Sequence, residues 1–555
     1  MEFKTFVSEL KEHGKSEQEI EVMVDKFAQQ LKIEKEWLKN GEYDKITECG
    51  VYAPRLYTVI DKKYNMGHKI AYRMAGISDP NKATEKEKLT AYIGYSKLIG
   101  NIGTLIKERN KPKPKKIREM IGERLCLLKN KPAHLLSKEV AEPVPMEVTV
   151  APYDELKDFF EFLEQGKYVE RGLQSFKRGT MYDDGRIDLC KQVVGPDHIG
   201  SLMDSIQNNE YVYHFLLGNN IIGYEGAKAI AEYIEKKNHS DKKSKIVTWY
   251  LAGNFIDEEG TKLIAKALET DIVTKDLWLK RNPIKGGVKY LAEMLTKNSS
   301  IKTLDLTNTA VMDSGCNELF SRLIHNRTLR YLYLDGNGLT KECIPVMVEY
   351  YKQLIQEDRK GINNLWLGMN SLGDEGIIPL VDVLSQYRYF KRLNITSVRI
   401  TEKSAEHIYR SFANHPKLMI LDVGMYKSTL DLGEVPNSIK DAGVEWIAKL
   451  IEGSKSLISV NVAFNDLTQT GVDRLYEALK KNSNMIMCIY AEFYKKFDSD
   501  QVKDFHELLT KNIEQHCVER GILVPKNSLG VKQFIQRIKH GKRIQNIDSI
   551  YRNRM

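Results

Sequence analysis

Trp249-Tyr250-Leu251-Ala252-Gly253-Asn254-Phe255-Ile256-Asp257-Glu258-Glu259-Gly260-Thr261-Lys262-Leu263-Ile264-Ala265-Lys266-Ala267-Leu268 contains one complete structural unit. Trp249 and Leu251 point one way and Tyr250 the other, the alternation of a short half-buried strand. Asn254 falls where the chain must leave the strand, and its amide suits backbone groups that have left a ladder. Ile256 returns to the core. Beyond Gly260, the residues Leu263, Ile264, Ala267 and Leu268 follow helical spacing. The unit reads strand, turn, helix.

The same L-x-L-x-x-N-x-I pattern recurs, with its first apolar residue at Ile187, Phe215, Trp249, Leu277, Leu304, Leu332, Leu365, Leu393, Leu421, Val460 and Cys488. The steps are 28, 34, 28, 27, 28, 33, 28, 28, 39 and 28 residues. A unit of this kind buries its apolar face only by stacking on its neighbours. Asn220, Asn254, Asn282, Asn337, Asn370 and Asn465 hold the Asn position, which departs at Gln192, Thr309, Val398, Tyr426 and Phe493. Gly226, Gly260, Gly315, Gly376, Gly443 and Gly471 precede the helices. The three long steps read as insertions in surface loops, at Lys236–Ser244, at Gln356–Gly361 and at about Tyr426–Ser438.

These residues resemble the leucine-rich repeats of the ribonuclease-inhibitor type, most clearly in Leu365-Trp366-Leu367-Gly368-Met369-Asn370-Ser371-Leu372-Gly373-Asp374-Glu375-Gly376. The resemblance covers roughly residues 185–510. It implies an α/β horseshoe of about 11 strand–turn–helix repeats, with a parallel sheet lining the concave face. Functionally, it implies binding of other proteins.

Outside the repeats, residues 1–138 read as an all-α domain. Ser16-Glu17-Gln18-Glu19 and Thr84-Glu85-Lys86-Glu87 have the form of capping boxes. Each opens a helical apolar row, the second through Leu89, Tyr92, Ile93, Leu98, Ile102 and Leu105. Residues 139–152, with three prolines and no helical period, form the linker candidate. Residues 153–184 are expected to cap the solenoid, with Leu156, Phe159, Phe160 and Leu163 of one apolar helix covering the edge of the first repeat. The repeats occupy 185–515. Residues 516–555 form a basic cap or tail, including a short amphipathic helix over Val531–Ile538.

The 555 residues suffice for two or three domains, and 42% hydrophobic with 29% charged residues fits a globular protein. No apolar stretch approaches the ~20 residues that span a bilayer, and the charged N-terminus is no secretory signal. Seven scattered cysteines without C-x-x-C point to free thiols and a cytoplasmic setting, or delivery into a host cytosol. Of the net charge of +9, much is local. The tail from Gln515 carries nine Lys/Arg against Glu519 and Asp548, and Lys107–Arg118 is a second basic run.

The chain has no phosphate loop, dinucleotide fingerprint, H-E-x-x-H or G-x-S-x-G motif, and its histidines do not cluster at metal-ligand spacing. No catalytic residue, cofactor or metal is expected. The informative residues lie at the middle position of L-x-L, which faces away from the core. There Tyr250, Trp278, Tyr333 and Trp366 form an interrupted aromatic stripe, flanked by Lys280, Arg281, Tyr331, Asp335 and Arg392. Aromatics beside arginine are the usual material of protein-binding hot spots. The stripe is therefore the expected partner surface, unless the N-terminal region or the tail folds across it.

The expected function is a non-enzymatic, monomeric scaffold for a protein partner, a layout that also fits a bacterial effector. Two alternatives carry specific features. Nucleic acid would use the basic tail and stack bases on the aromatics, although Asp276, Asp305 and Asp335 interrupt the positive charge. The leucine-rich-repeat activators of small GTPases have similar repeats but an acidic tail. An immune-type sensor would need a phosphate loop between its N-terminal domain and its repeats.

Overall fold

A computed structural model describes residues 17–48, 66–110, 149–426, 434–490, 499–525, 534, 538 and 542–552. The chain divides into two compact units, Met1–Glu123 and Arg124–Met555.

In the first unit the described residues form helices α1 (Glu17–Lys39), α2 (Tyr43–Glu48), α3 (Gly67–Met74) and α4 (Glu85–Asn110). Thr84 and Glu87 form the expected reciprocal cap. The Thr84 amide donates to Glu87 at 2.8 Å and the Glu87 amide to Thr84 Oγ1 at 3.3 Å. The core joins Val24, Phe27 and Leu31 of α1 to Ile70 of α3 and to Tyr95, Leu98 and Ile102 of α4. Leu89 and Ile93, expected on the same apolar row, are exposed. The first capping-box residue Ser16, residues 111–118 of the basic run and most of the linker lie outside the described residues.

In the second unit a hairpin, β1 (Leu173–Ser175) and β2 (Thr180–Tyr182), pairs antiparallel with β3 (Arg186–Asp188). From β3 the sheet runs parallel through β4 (His214–Leu216), β5 (Thr248–Tyr250), β6 (Asp276–Trp278), β7 (Thr303–Asp305) and β8 (Tyr331–Tyr333). It continues through β9 (Asn364–Trp366), β10 (Arg392–Asn394), β11 (Ile420–Asp422), β12 (Ser459–Asn461) and β13 (Met487–Ile489). All eleven first apolar residues, Ile187 to Cys488, stand in one register as mutual strand partners. Strands sit ~4.8 Å apart, whereas helices need 8–10 Å. Each repeat is thus a wedge, with the strand layer on the inner side of the curve. The hairpin covers the edge strand. Helix α5 (Tyr153–Glu164), expected at that edge, instead closes the helix-side core with Phe159, Phe160 and Leu163.

The Asn residues stitch the repeats together. Asn282 Oδ1 accepts the Asn254 and Ile256 amides at 2.8 and 3.1 Å, and its Nδ2 donates to Leu251 and Leu279 carbonyls. Each such side chain satisfies buried backbone groups of two repeats at once. Across the long step at β11 the ladder residue is Asn437, not Tyr426. Asn437 accepts the Val398 and Ile400 amides and donates to Ile395 and Val423. The insertion therefore enters between the strand and its Asn, and its residues Glu434 and Asn437 are buried; 427–433 lie outside the described residues. The other two insertions follow helices and are largely exposed, as expected.

A second polar ladder stands five residues before many strands. Asn298, Asn326 and Asn482 donate to carbonyls of the preceding repeat and accept amides of their own turn. The helix-start glycines permit close stacking: a methyl group on Gly315 would lie 2.7 Å from Val288 Cγ1.

Candidate functional site

The third residue of each parallel strand faces the inner side of the sheet. Tyr333 and Trp366 stack with centroids 3.9 Å apart and planes within 14°. Trp278 reaches over Asp305 to lie 5.4 Å from Tyr333, closing the gap in the stripe. Lys280 Nζ sits 5.8 Å from the centre of the Tyr250 ring, within cation–π range.

The stripe is not open surface. Tyr250, Trp278, Tyr333 and Trp366 are only 2, 3, 7 and 3% exposed. They form one apolar cluster with Leu216, Tyr331 and three residues of the C-terminal segment, Ile544, Ile547 and Tyr551. Within that segment Lys542–Ile547 forms a short 3₁₀ turn. Ser549 Oγ donates to Asp188 Oδ1 at 2.9 Å and the Ile550 amide to Asp188 Oδ2 at 3.1 Å. Arg186 donates to the Gln545 and Asp548 carbonyls at 2.8 and 2.9 Å. The Tyr551 hydroxyl meets Thr180 at 2.8 Å. Arg552 donates to the Tyr250 hydroxyl at 2.7 Å, with its guanidinium carbon 4.4 Å from the ring centre.

The other expected residues divide. Tyr331 and Arg392 are half-buried; burial pushes the Arg392 guanidinium below its usual range, and Tyr331 and Tyr333 pull it back up. Arg281 is exposed, at φ +57°. Asp335 is buried, accepting the Gly368 amide at 2.8 Å. Burial, then the nearby Asp305 carboxylate, holds the Asp335 carboxyl well above its ordinary range. Asp305 is raised as well, by burial, against the pull of Lys280. Tyr426, freed from the ladder by the insertion, accepts from Asn394 Nδ2 at 3.1 Å. Sequence reasoning did not single out Asp188, Arg186 and Thr180 as the seat of the tail. The excess of the 39-residue step over 28 was a usable signal for Asn437, because it equals the 11-residue displacement of the ladder Asn from 426.

Asp335 supplies a pH test. An acid whose pKa is raised by folding makes the native state bind a proton more readily than the unfolded chain. Its burial penalty is absent below its ordinary value of 3.8, grows as pH rises toward the folded value, and is complete above it. Asp335→Asn keeps an acceptor for Gly368 and removes the charge. Urea midpoints of variant and wild type should differ little at the acid end and diverge in favour of the variant as pH rises to 8. A constant difference across that range would contradict a neutral, buried Asp335 carboxyl.

No helix among the described residues is long and apolar enough to cross a membrane. A family model described as "Leucine Rich repeat" matches residues 325–342. The NACHT, LRR and PYD domains-containing protein 14 of Mus musculus is 23% identical over 321 residues, half of this chain and 32% of its own length. Protein 9B of that series, also from Mus musculus, is 27% identical over a third of this chain and 17% of its own. The chain thus spans about a third or less of these relatives. Among solved structures, that of the Rad7–Elc1 complex from yeast matches 74% of this chain and 90% of its own at 14% identity and a TM-score of 0.38. LegL7 of Legionella pneumophila matches 62% and 94% at 16% identity and a TM-score of 0.33.

Proposed function

We propose that this chain, a leucine-rich-repeat protein, is a non-enzymatic interaction scaffold that binds a protein partner on the inner face of its sheet, at the stripe Tyr250, Trp278, Tyr333 and Trp366. The observation that carries this reading is the seating of a polypeptide segment, residues 544–552, on that face through both side-chain and main-chain contacts. A face built to hold one stretch of chain in this way has the chemistry to hold another. Free, buried thiols at all five described cysteines support a reducing cytosol, the cell's own or a host's. The charged side chains buried along this face are acids, Asp188, Asp305 and Asp335 among them, and not lysine or arginine, which favours protein over nucleic acid, since a phosphate-tracking groove is lined with basic residues.

Lys280 and Arg281 give a test that spares the core, because Arg281 is exposed and Lys280 half-buried. A protein retained by the full chain in affinity capture should be lost by Lys280→Glu/Arg281→Glu, with the thermal midpoint within a few degrees of wild type. Capture that is indifferent to this change would remove the inner face as the binding surface.

A further inference from the structure

The contacts between the tail and the sheet are those of a peptide in a binding site. Arg186 holds two main-chain carbonyls, those of Gln545 and Asp548, and Asp188 holds the Ile550 amide. Such contacts fix the path of a chain whatever its sequence. Selectivity comes from Ile544 and Ile547, three residues apart and both against the aromatic cluster, from the Ser549 hydroxyl on Asp188, and from Arg552 over Tyr250.

The occupant is an imperfect one. Of its residues only Ile547 and Ser549 are fully buried, while Asp548 is exposed. Trp278 Nε1, Arg186 Nε and Arg552 Nε are buried without a hydrogen-bond acceptor, and each such donor disfavours the docked state. The tail remains seated because it is tethered. A segment on a short linker acts at an effective concentration on the order of millimolar, so weak intrinsic affinity suffices.

We propose that the inner face between β2 and β9 is a peptide-recognition site in which residues 544–552 are a resident pseudo-ligand. The partner segment it takes has the same chemistry: two aliphatic side chains three residues apart, a hydroxyl two residues on, then an aromatic–arginine pair. This rests on the scaffold reading and adds to it the identity of the bound element and its gate. A partner segment enters by displacing the tail, and one that also offers an acceptor to Trp278 Nε1 outcompetes it.

The test uses the full chain and a fluorescein-labelled synthetic peptide of residues 540–555, read by fluorescence anisotropy. Wild type should bind the peptide weakly, because its own tail fills the site. Ile544→Asp/Ile547→Asp, which undocks the tail, should bind it at least tenfold more tightly. Adding Asp188→Ala should reverse most of that gain, and a peptide with the same two Ile→Asp changes should not bind. Ser549→Ala/Arg552→Ala removes only polar anchors. It serves as a second undocking variant, expected to give a smaller gain in the same direction, should the first lose its far-UV circular dichroism. Equal peptide binding by wild type and a folded undocked variant, or no binding by either, would overturn the proposal. The scaffold reading would survive that result if capture still depended on Lys280 and Arg281.

Discussion

Asn370→Leu is expected to destabilise the repeat unit by about 4 kcal/mol. Asn370 Oδ1 accepts the Asn337 and Leu339 amides at 2.9 and 3.0 Å. Its Nδ2 donates to the Leu334 and Leu367 carbonyls at 3.0 and 2.7 Å. Leucine fills the same volume but answers none of these groups. Two amides are then left buried without an acceptor, at about 1–3 kcal/mol each, before the carbonyls are considered. Urea unfolding followed by circular dichroism measures the loss. A change below about 1 kcal/mol would mean that the backbone re-pairs without the side chain, and that the Asn ladder is not what joins one repeat to the next.

Trp366→Ala is expected to cost about 3–5 kcal/mol, the range for removing a large buried aromatic. From sequence alone Trp278 and Trp366 read as partner surface, whose joint replacement by alanine should abolish partner capture and leave the melting temperature nearly unchanged. The 3% exposure of Trp366 and its stack on Tyr333 overturn the second half of that expectation. Trp366→Phe keeps an aromatic partner for Tyr333 and should lose less than half as much. Thermal melts of the two variants decide between a face that is covered in solution and one that is open. An unchanged midpoint for Trp366→Ala would show the cover to be absent. For the same reason a binding defect in this variant carries weight only beside Lys280→Glu/Arg281→Glu, where stability is preserved.

The fold was legible because its signal repeats. Eleven copies of one short pattern place eleven strands in register, and the same residues, Ile187 through Cys488, mark that register in the structure. Where a single residue breaks the pattern the reading weakens. Tyr426 occupies the sequence slot of a ladder Asn, and only the full length of the step reveals that Asn437 has taken its place. The candidate face was legible in composition but not in its state. Alternation shows that Tyr250, Trp278, Tyr333 and Trp366 point away from the core, and it is silent on what lies against them. That depends on contacts such as Ser549 with Asp188, 361 residues apart, which leave no local periodicity. The cap illustrates the same limit. The apolar row of α5 identifies a lid, but whether it covers a sheet edge or a helix-side core depends on the β1–β2 hairpin, whose three-residue strands are too short to announce themselves.

The seating of Ser549 and Ile550 on Asp188 also alters the mechanics of the solenoid. In an ordinary stack of repeats each turn feels only its neighbours, so either end frays by itself. Here Phe534 and Ile538 pack with Ile458 and Ile486 beside the last strands, and the chain then reaches the first parallel strand. One tail is thus anchored at both ends of the arc, as a string is tied to both ends of a bow. Pulling the two ends of the repeats apart must first snap this string. Until it does, the arc resists flattening as a closed loop rather than as a spring with free ends.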